Sequence, residues 1–469
     1  MVVVVRREAF VIGSGPNGLT AAITLARAGM KVTVFEAQPT LGGGARSAEL
    51  TLPGFTHDVC SAVHPLAISS PAFATMPLHE HGLEWIKPPV AAAHPLDNRV
   101  SATPENIGEN ARWFSRAVKY FKAHWNELLE EILAPPHLPA HPVLLARFGL
   151  LAALPANQLA KLLFRDKRGR AWFAGMAAHS ILPLDAVGSG AFGLVFALSA
   201  QIGAWPIPRG GSQRISDALA SYFESLGGVI LKNHEVTSIS ELPRTALTLC
   251  DVTPRQLLRI AADRLPDSFR RKLERYKYGP GVFKLDWALD APIPWRDSVC
   301  AQAGTVHVGG TLKEIAASER AVWQGAASHH PFVLLAQPSL FDSTRAPAGK
   351  HTAWAYCHVP NGSKEDMTRA IEDQIARFAP GFRETILARH TGGPAELEQQ
   401  NANLVGGDIT GGAATPRQLL FRPTSSLYGT PCRELFICSS STPPGAGVHG
   451  MCGYYAAKCA IASVSGQTI

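Results

Sequence analysis

Three glycines near the amino terminus have the spacing of a dinucleotide-binding turn. Gly13, Gly15 and Gly18 lie in the segment Gly-Ser-Gly-Pro-Asn-Gly, between a predicted strand that ends at Ile12 and a predicted helix over residues 17–28. The first glycine permits the tight turn, the second lets a pyrophosphate approach the backbone, and the third lets the helix pack closely on the sheet. The free amides and the positive dipole end of the helix would face the phosphates. The segment therefore predicts an adenine dinucleotide site.

An acidic residue marks the end of the second predicted strand. The strand Lys31-Val-Thr-Val-Phe35 is followed by Glu36, at the distance of about 20 residues where a carboxylate binds a ribose hydroxyl pair. A carboxylate in this position disfavours a 2′-phosphate. We therefore do not expect NADP in this site.

Two further glycine-rich segments are also expected to approach the bound dinucleotide. Gly42-Gly-Gly44 comes shortly after Glu36, where it lets another loop lie against the dinucleotide. Near the carboxyl terminus, an apolar strand after Glu434 leads into Pro444-Gly-Ala-Gly-Val448 and then into a predicted helix. This second strand, glycine turn and helix would bring a helix amino terminus close to a bound group.

Together these motifs resemble the FAD-dependent phytoene desaturase and amine oxidase superfamily, and within it the phytoene dehydrogenase-like proteins. The segments that carry the resemblance are Gly13-Ser-Gly-Pro-Asn-Gly18, Glu36, Gly42-Gly-Gly44, Pro208-Arg-Gly-Gly211, Val236, Val252-Thr-Pro254, Arg422-Pro423 and Pro444-Gly-Ala-Gly-Val448.

The resemblance implies a noncovalently bound FAD. Glu36 would bind the adenosine ribose, Gly43 to Arg46 would line the pyrophosphate and ribityl region, and the backbone of Val236 would face the adenine. Gly447 and Val448, with the helix that follows, would stand at the pyrimidine edge of the flavin, where a helix dipole stabilises the negative charge of reduction. The complete implied cofactor set is Gly13, Ser14, Gly15, Pro16, Asn17, Gly18, Glu36, Ala37, Gly43, Gly44, Ala45, Arg46, Val236, Gly447, Val448 and His449.

The chain departs from the pattern of this superfamily in three places. The arginine expected after the paired glycines is replaced by Gly44 or Ala45, so Arg46 either substitutes for it or faces solvent. The interval between Val236 and the strand near Thr248 is short, so the edge of the FAD-binding domain is expected to be trimmed. Residues 289–295 lack the lysine that amine oxidases place beside the flavin, which disfavours amine oxidation.

No catalytic residue can be assigned from the motifs, and His449 is the best candidate for a polar group at the flavin face. The alternative is a helix-terminal histidine that bonds a backbone carbonyl. His57, Asp58 and His64 follow the glycine loop, but ordinary core or surface positions are favoured for them. Residues 406–412 carry two glycine pairs that either border the substrate or form simple turns.

The predicted fold class is α/β, with a Rossmann-like FAD-binding domain of the glutathione reductase type and an inserted α+β substrate domain. Residues 282–289 alternate apolar and charged side chains, which predicts a half-exposed antiparallel strand in the inserted domain. Long helical patterns such as residues 113–133 predict a helical insertion. For the uncharged residues 186–208, a buried helix followed by an extended segment is favoured over a transmembrane helix, because glycines, serines and prolines dilute the hydrophobicity. The FAD-binding domain is predicted at residues 1–65, 206–255 and 415–469, and the substrate domain at residues 66–205 and 256–414.

Composition narrows the class of partner. The chain has 469 residues, 46% hydrophobic and 17% charged, as in a globular enzyme. Its net charge is +7, but no compact basic tract with interleaved aromatics dominates, so nucleic acid is not expected. The eight cysteines show no zinc spacing, and no metal is predicted.

A basic and aromatic cluster could rest on an anionic membrane, although a solvated helix end explains it equally simply. Its members are Lys161, Arg165, Lys167, Arg168, Arg170, Trp172 and Phe173. Residues 1–5 are interpreted as the approach to the first strand, without a signal peptide. These features favour a cytoplasmic protein, with peripheral membrane contact as an option.

The predicted function is FAD-dependent removal of hydride from a small, apolar organic molecule, with formation of a carbon–carbon double bond. Electrons would pass to oxygen, a quinone or another acceptor. Oxidation of a carbon–nitrogen bond is the alternative within enzymes. A protein that keeps FAD without turnover, as an interaction partner, is the alternative outside them. The motifs leave the oligomeric state open.

Overall fold

The computed structural model describes residues 7–97, 100–107, 111–202 and 205–465. The interpretation of residues 1–5 therefore lies outside the described residues, as do the last four residues of the predicted FAD-binding domain. The strands β1 to β15 are, in chain order, Glu8–Ile12, Lys31–Phe35, Ser47–Glu49, Thr56–Asp58, Trp85–Ile86, Val90–Ala93, Ile207–Pro208, Val229–Leu231, Leu247–Cys250, Gly281–Leu289, Ala303–Val308, Val333–Ala336, His351–Val359, Ile386–Gly392 and Leu435–Ile437. The helices α1 to α17 are, in chain order, Pro16–Arg27, Pro65–Ile68, Pro71–Ala74, Arg112–Ala123, Trp125–Ile132, Pro142–Ala152, Ala156–Leu163, Lys167–Ala178, Ser189–Ile202, Gln213–Ser225, Pro254–Ala261, Asp267–Glu274, Leu312–Trp323, Thr368–Phe378, Pro394–Gln400, Pro416–Leu420 and Met451–Ser465.

A five-stranded parallel sheet combines strands from near both ends of the chain. Its strands run in the order β15, β9, β1, β2, β8. Helices α1, α10 and α17 pack together, and Leu257 and Ile260 of α11 join a separate core cluster with Ile12 and Ile437. Parallel sheets are covered on both faces in this way. The predicted α/β class with a Rossmann-like sheet is confirmed.

A second sheet is mostly antiparallel. Its six strands run in the order β14, β10, β13, β12, β11, β6, and only the pair of β11 with β6 is parallel. β6 comes from residues before α4, whereas the other strands lie between residues 281 and 392. The domain boundaries proposed from the sequence stay a prediction.

The expectation of a half-exposed strand at residues 282–289 is wrong. β10 is antiparallel to both neighbours, but all nine of its residues are buried. Its apolar face packs into a core with α14, and its polar face, which carries Lys284 and Asp286, lies against His57 of β4. The two faces of β10 do alternate between apolar and polar side chains, but the polar face is covered by another part of the chain.

The helical insertion forms largely as expected. The pattern at residues 113–133 becomes two helices, α4 and α5, which meet at His124. The expected buried helix at residues 186–208 is α9, followed by the short strand β7. Among the described residues, no single helix has the length and apolarity to cross a membrane. The bent pair α6 and α7 passes that test by length and composition, with an angle of 104° between the two helices.

The basic and aromatic cluster is split by the fold. Trp172 and Phe173 are fully buried in α8, so the expectation that they could contact a membrane is wrong. Arg168 donates a hydrogen bond to the carbonyl of Asn106, and Arg170 donates one to the carbonyl of Phe164. Two of the basic side chains therefore make hydrogen bonds at the start of α8, which agrees with the interpretation of the cluster as a helix end.

The edge of the parallel sheet is short, as expected from the sequence. Between β8 and β9, the described residues 232–246 contain one short 3₁₀ turn, Ile239–Glu241, and no strand.

Candidate functional site

A cavity of about 620 Å³ lies where the carboxyl ends of the parallel strands meet the second sheet. This volume falls within the usual range of ligand pockets, about 300–1,000 Å³. The residues of the predicted cofactor set that line it are Gly13, Ser14, Gly15, Pro16, Asn17, Glu36, Ala37, Gly43, Gly44, Ala45, Arg46, Val236, Gly447 and Val448. Gly18 and His449 are the two members of the set that do not line it. The fold therefore brings together segments from both ends of the chain, although their role in cofactor binding stays a prediction.

The first glycine turn is built for close approach. Gly13 has φ of +99°, a conformation that L residues rarely adopt. Gly15 is the N-cap of α1, and a Cβ there would lie 2.6 Å from Oδ2 of Asp251. A Cβ at Gly18 would lie 2.1 Å from the carbonyl oxygen of Gly13. Gly18 thus serves helix packing beneath the cavity, as its predicted role requires.

Glu36 anchors this turn from the next strand. Its Oε2 accepts hydrogen bonds from the backbone N–H and the hydroxyl of Ser14, at 2.9 and 2.5 Å. Its Oε1 accepts the N–H of Gln38 at 2.9 Å. The carboxylate is largely buried but lines the cavity, so it is positioned both to fix the loop and to bind a ligand hydroxyl.

Asp251 is a cavity residue that the sequence analysis missed. It follows β9 directly, and its Oδ2 accepts the N–H of Gly18 at 2.9 Å. Burial, together with the nearby Glu36, raises the pKa of this carboxyl to about 7, although the hydrogen bond from the Gly18 N–H opposes the shift. The signal in the sequence was the position, because residues at the carboxyl ends of parallel strands point to the ligand crevice.

Asp251→Asn is expected to stabilise the apoprotein more at pH ~8 than at pH ~5. The carboxyl has a higher pKa in the folded state than in the unfolded state, so its contribution is lost as pH rises toward about 7. The asparagine variant cannot ionise and keeps an oxygen for Gly18. The difference should be on the order of 1 kcal/mol, measured by thermal melts at both pH values.

The matched control for this prediction is Asp263→Asn, which alters an exposed aspartate. Its effect should not change between the two pH values. A gain in Asp251→Asn that is equal at both pH values would contradict the prediction.

The second glycine-rich segment, Gly42-Gly-Gly44, and the cationic Arg46 that follows it lie next to the first glycine turn. A Cβ at Gly43, which has φ of +55°, would lie 3.3 Å from Cα of Gly15. Arg46 lines the cavity and donates hydrogen bonds to the carbonyls of Gly43 and Gln400, at 2.8 and 3.3 Å. Burial lowers the pKa of Arg46 from its usual value of 12.5, and the nearby Glu36 opposes this shift. The sequence left open whether Arg46 replaces the expected arginine or faces solvent, and the structure places it at the cavity.

His449 does not reach the cavity wall. It is fully buried at the start of α17, where its Nδ1 accepts the N–H of Met451 at 3.1 Å. Burial lowers its pKa to about 4, so the ring is neutral at physiological pH. The structure therefore favours the helix-terminal interpretation. Gly447 and Val448 line the cavity just before it.

The histidines after the glycine loop have separate positions. His64 lines the cavity, and its Nε2 lies 2.8 Å from the hydroxyl of Ser212. His57 and Asp58 are buried behind the wall and do not line it. Both are therefore core residues, which agrees with the ordinary core position expected for them from the sequence.

A lysine lies near the cavity although residues 289–295 lack one. Lys284 is buried and paired with Asp286, and its Nζ is 6.0 Å from the ring centre of Trp354, which lines the cavity. The alternating pattern of residues 282–289 predicts an exposed strand face for Lys284, so this buried position was not expected.

The glycine pairs at residues 406–412 act mainly as turns. Asp408 is fully buried and accepts the N–H of Gly279 at 2.7 Å. Of the glycines in this segment, Gly411 lines the cavity. The eight cysteines are free, and the described residues contain no group of three or more potential metal ligands.

The far end of the cavity is apolar and comes mainly from the inserted elements. Its walls are Ile181, Phe192, Phe196, Trp205, Leu334 and Trp354. Three polar side chains, His179, Thr305 and Tyr356, stand among them. None of these nine residues could be identified from the sequence. They come from several separate elements, so no motif or spacing marks them.

Comparison with known proteins supports this architecture. The family model for the NAD(P)-binding Rossmann-like domain matches residues 11–76. The chain is 27% identical to pyridine nucleotide-disulfide oxidoreductase domain-containing protein 2 of Rattus norvegicus, over 96% of this chain and 92% of that protein. It is 23% identical to phytoene dehydrogenase of Streptomyces griseus, over 93% and 91% of the two chains.

The fold is also shared with a solved structure. A putrescine oxidase with redesigned cofactor binding superposes with a TM-score of 0.62 at 16% identity, covering 98% of this chain and 99% of that one. The resemblance predicted from the motifs, to phytoene dehydrogenases and the amine oxidase fold, is therefore confirmed.

Proposed function

We propose that this homologue of phytoene dehydrogenases binds FAD noncovalently and removes hydride from an apolar organic molecule to form a carbon–carbon double bond. The observation that carries the proposal is a single cavity, with a dinucleotide turn at one end and an apolar chamber at the other. Such a cavity holds a cofactor and a substrate in contact, which is what hydride transfer requires.

The residues present fit an adenine dinucleotide. The glycine turn leaves space in front of α1 that side chains would fill, and the buried Oδ1 of Asn17, on the same wall, has no partner among the described residues. Arg46 and the α1 amino terminus would hold the pyrophosphate, Glu36 the ribose, and Val236 the adenine. Gly447 and Val448 would face the flavin.

Bound FAD would supply the hydride acceptor. The protein's own part is to orient the two molecules and to exclude water, since the substrate chamber is lined mainly by apolar side chains. Helix α17, whose amino terminus comes just after the Gly447 turn, would supply positive potential to a flavin held at this end of the cavity.

The chamber favours dehydrogenation over amine oxidation. Among the described lining residues, the carboxylates Glu36, Glu235 and Asp251 lie at the dinucleotide end of the cavity, so an ammonium group would find no counter-ion in the chamber. Amine oxidation remains the second candidate because the putrescine oxidase fold is shared. A noncatalytic FAD-binding protein remains the third. The electron acceptor would be oxygen, a quinone or another acceptor, and the location cytoplasmic or at a membrane surface.

The test is flavin content followed by anaerobic reduction. The purified protein should be yellow and release FAD on denaturation. Its flavin band should bleach without oxygen when the right member of a panel of apolar metabolites is added. A colourless protein that cannot be reconstituted refutes the proposal. Release of ammonia and peroxide would indicate amine oxidation, and a bound flavin that no donor or reductant bleaches would indicate the noncatalytic alternative.

A further inference from the structure

The apolar chamber contains polar atoms that the protein leaves without partners. The hydroxyl of Thr305 and the indole N–H of Trp354 are buried, and neither has a hydrogen-bond partner among the described residues. The half-buried Tyr356 lines the same chamber. A buried polar group without a partner costs about 1–3 kcal/mol. Two such groups in one chamber indicate a ligand that forms hydrogen bonds with them.

A histidine pair is the most organised polar feature of this wall. His179, just after α8, and His307, on β11, place their Nε2 atoms 2.9 Å apart. His179 lines the cavity, and His307 stands behind it. A Cβ at Gly175 would lie 2.8 Å from Nδ1 of His307, so the glycine in α8 makes the room that the second ring needs.

The pair is held in a fixed orientation by aromatic neighbours. The ring of His179 is 4.6 Å from that of Phe196 and 5.4 Å from that of Trp205. Burial lowers the pKa of His179 to about 3, with a smaller contribution from His358, and also lowers that of His307 well below its usual value. Both rings are therefore neutral at physiological pH.

Two neutral imidazoles in contact share one proton between their Nε2 atoms. This leaves Nδ1 of His179 for a ligand, as an acceptor when His179 donates to His307 and as a donor when the direction reverses. A ligand hydroxyl group can form a hydrogen bond with Nδ1 of His179 whether that atom donates or accepts. A ligand carbonyl can do so only when Nδ1 donates. A hydrocarbon can form neither hydrogen bond.

The charges around the chamber argue for an uncharged ligand. The charged residues that line the cavity, Glu36, Arg46, Glu235, Asp251 and Arg259, surround the dinucleotide turn and the predicted adenine region. Lys284 and Asp286 lie behind the Trp354 wall and neutralise each other. The chamber is therefore apolar and neutral, with a small number of hydrogen-bonding groups, which is the usual composition of a small-molecule site.

We propose that the chamber binds an uncharged substrate that carries a hydroxyl or carbonyl oxygen, and that His179, positioned by His307, recognises this oxygen. The inference rests on the proposed function only in taking the ligand to be the substrate. It narrows that substrate from an apolar molecule to an oxygenated one.

The test compares p-cresol with p-xylene, which replaces the hydroxyl by a methyl group of similar size. Calorimetry on the purified full-length protein should give a Kd for p-cresol at least about tenfold lower than for p-xylene, because only the phenol satisfies the polar groups. His179→Leu should reduce this ratio to about threefold or less, and should leave the Kd for p-xylene nearly unchanged. His307→Leu, which frees the His179 ring, should reduce the ratio in part.

The matched control is Phe192→Leu, which trims the apolar wall of the same chamber. It should weaken both probes and leave their ratio unchanged. Equal affinities in the wild type, an unchanged ratio in His179→Leu, or tighter binding of benzylammonium than of p-cresol would each overturn the inference.

FAD content, measured after denaturation, separates this test from the proposed function. Calorimetry of the two probes does not depend on turnover. A protein without FAD that still prefers p-cresol would refute the cofactor proposal alone. A yellow protein without the preference would refute the substrate inference alone.

Discussion

Replacing Gly15 with alanine is expected to give a folded protein that purifies without FAD. Gly15 has φ of −62° and ψ of 167°, a conformation that alanine adopts without strain. The added methyl group would nevertheless lie 2.6 Å from Oδ2 of Asp251, on the loop that faces the cavity. It must displace Asp251 or occupy the space that the pyrophosphate needs. We expect the Kd for FAD to rise at least about 100-fold, which corresponds to roughly 2.7 kcal/mol.

The measurement is the flavin absorbance of the purified variant, followed by titration with FAD. The matched control is Gly149→Ala in α6, where a Cβ would meet nothing within 4 Å. This control should stay yellow, with a stability equal to or slightly above that of the wild type. A Gly15→Ala protein with wild-type affinity for FAD would contradict the role assigned to the turn.

Replacing Arg345 with methionine is expected to destabilise the protein by about 3–5 kcal/mol. Its Nη2 donates to Oδ2 of Asp58 at 2.7 Å, and both side chains are fully buried. The other oxygen of Asp58 accepts the hydroxyl of Ser47 and the N–H of Ser212, both at 2.7 Å. The pair thus joins three segments around the cavity, and the variant leaves a buried carboxylate without its cation.

The effect should depend on pH. Although burial opposes it, Arg345 and the Ser212 amide hold the pKa of Asp58 below its usual 3.8. A lowered pKa means that the pair stabilises the fold above the unfolded-state value and that this stability is lost as pH falls below it. The penalty of Arg345→Met should therefore be largest near neutral pH and shrink in acid, as measured by urea unfolding.

A double variant and a surface pair serve as controls. Asp58→Asn combined with Arg345→Met removes both charges, and it should be more stable than Arg345→Met alone. Arg320→Met breaks a half-exposed pair with Asp185 and should cost less than about 1 kcal/mol. Equal losses in Arg345→Met and Arg320→Met would show that burial does not govern the energy of these pairs.

The parts of the site that the sequence predicted are those whose chemistry is local. Gly13 and Gly15 are recognisable because a tight turn and close approach of a ligand restrict the residue type within a few positions. Glu36 is recognisable because its distance from the turn is fixed by one helix and one strand. Gly447 and Val448 were expected there from the resemblance to the superfamily, and all five residues line one cavity.

The errors arose where a second part of the chain covers the first. The alternating pattern of β10 predicts one exposed face, but β4 covers it and buries Lys284 and Asp286. Trp172 and Phe173 sit beside basic residues in the sequence, yet the helix turns them inward. His449 follows a cavity residue directly but faces the start of its own helix.

By itself, the sequence determined the fold class and the dinucleotide turn, because backbone conformation and strand–helix order are short-range properties. Only the tertiary structure decided the composition of the substrate chamber. His179, Thr305 and Tyr356 lie in three separate elements, up to 177 positions apart, and none has a spacing that identifies it. Their proximity results from the packing of α8 and α9 against the second sheet, since burial and long-range contact, unlike a glycine turn, depend on the whole chain.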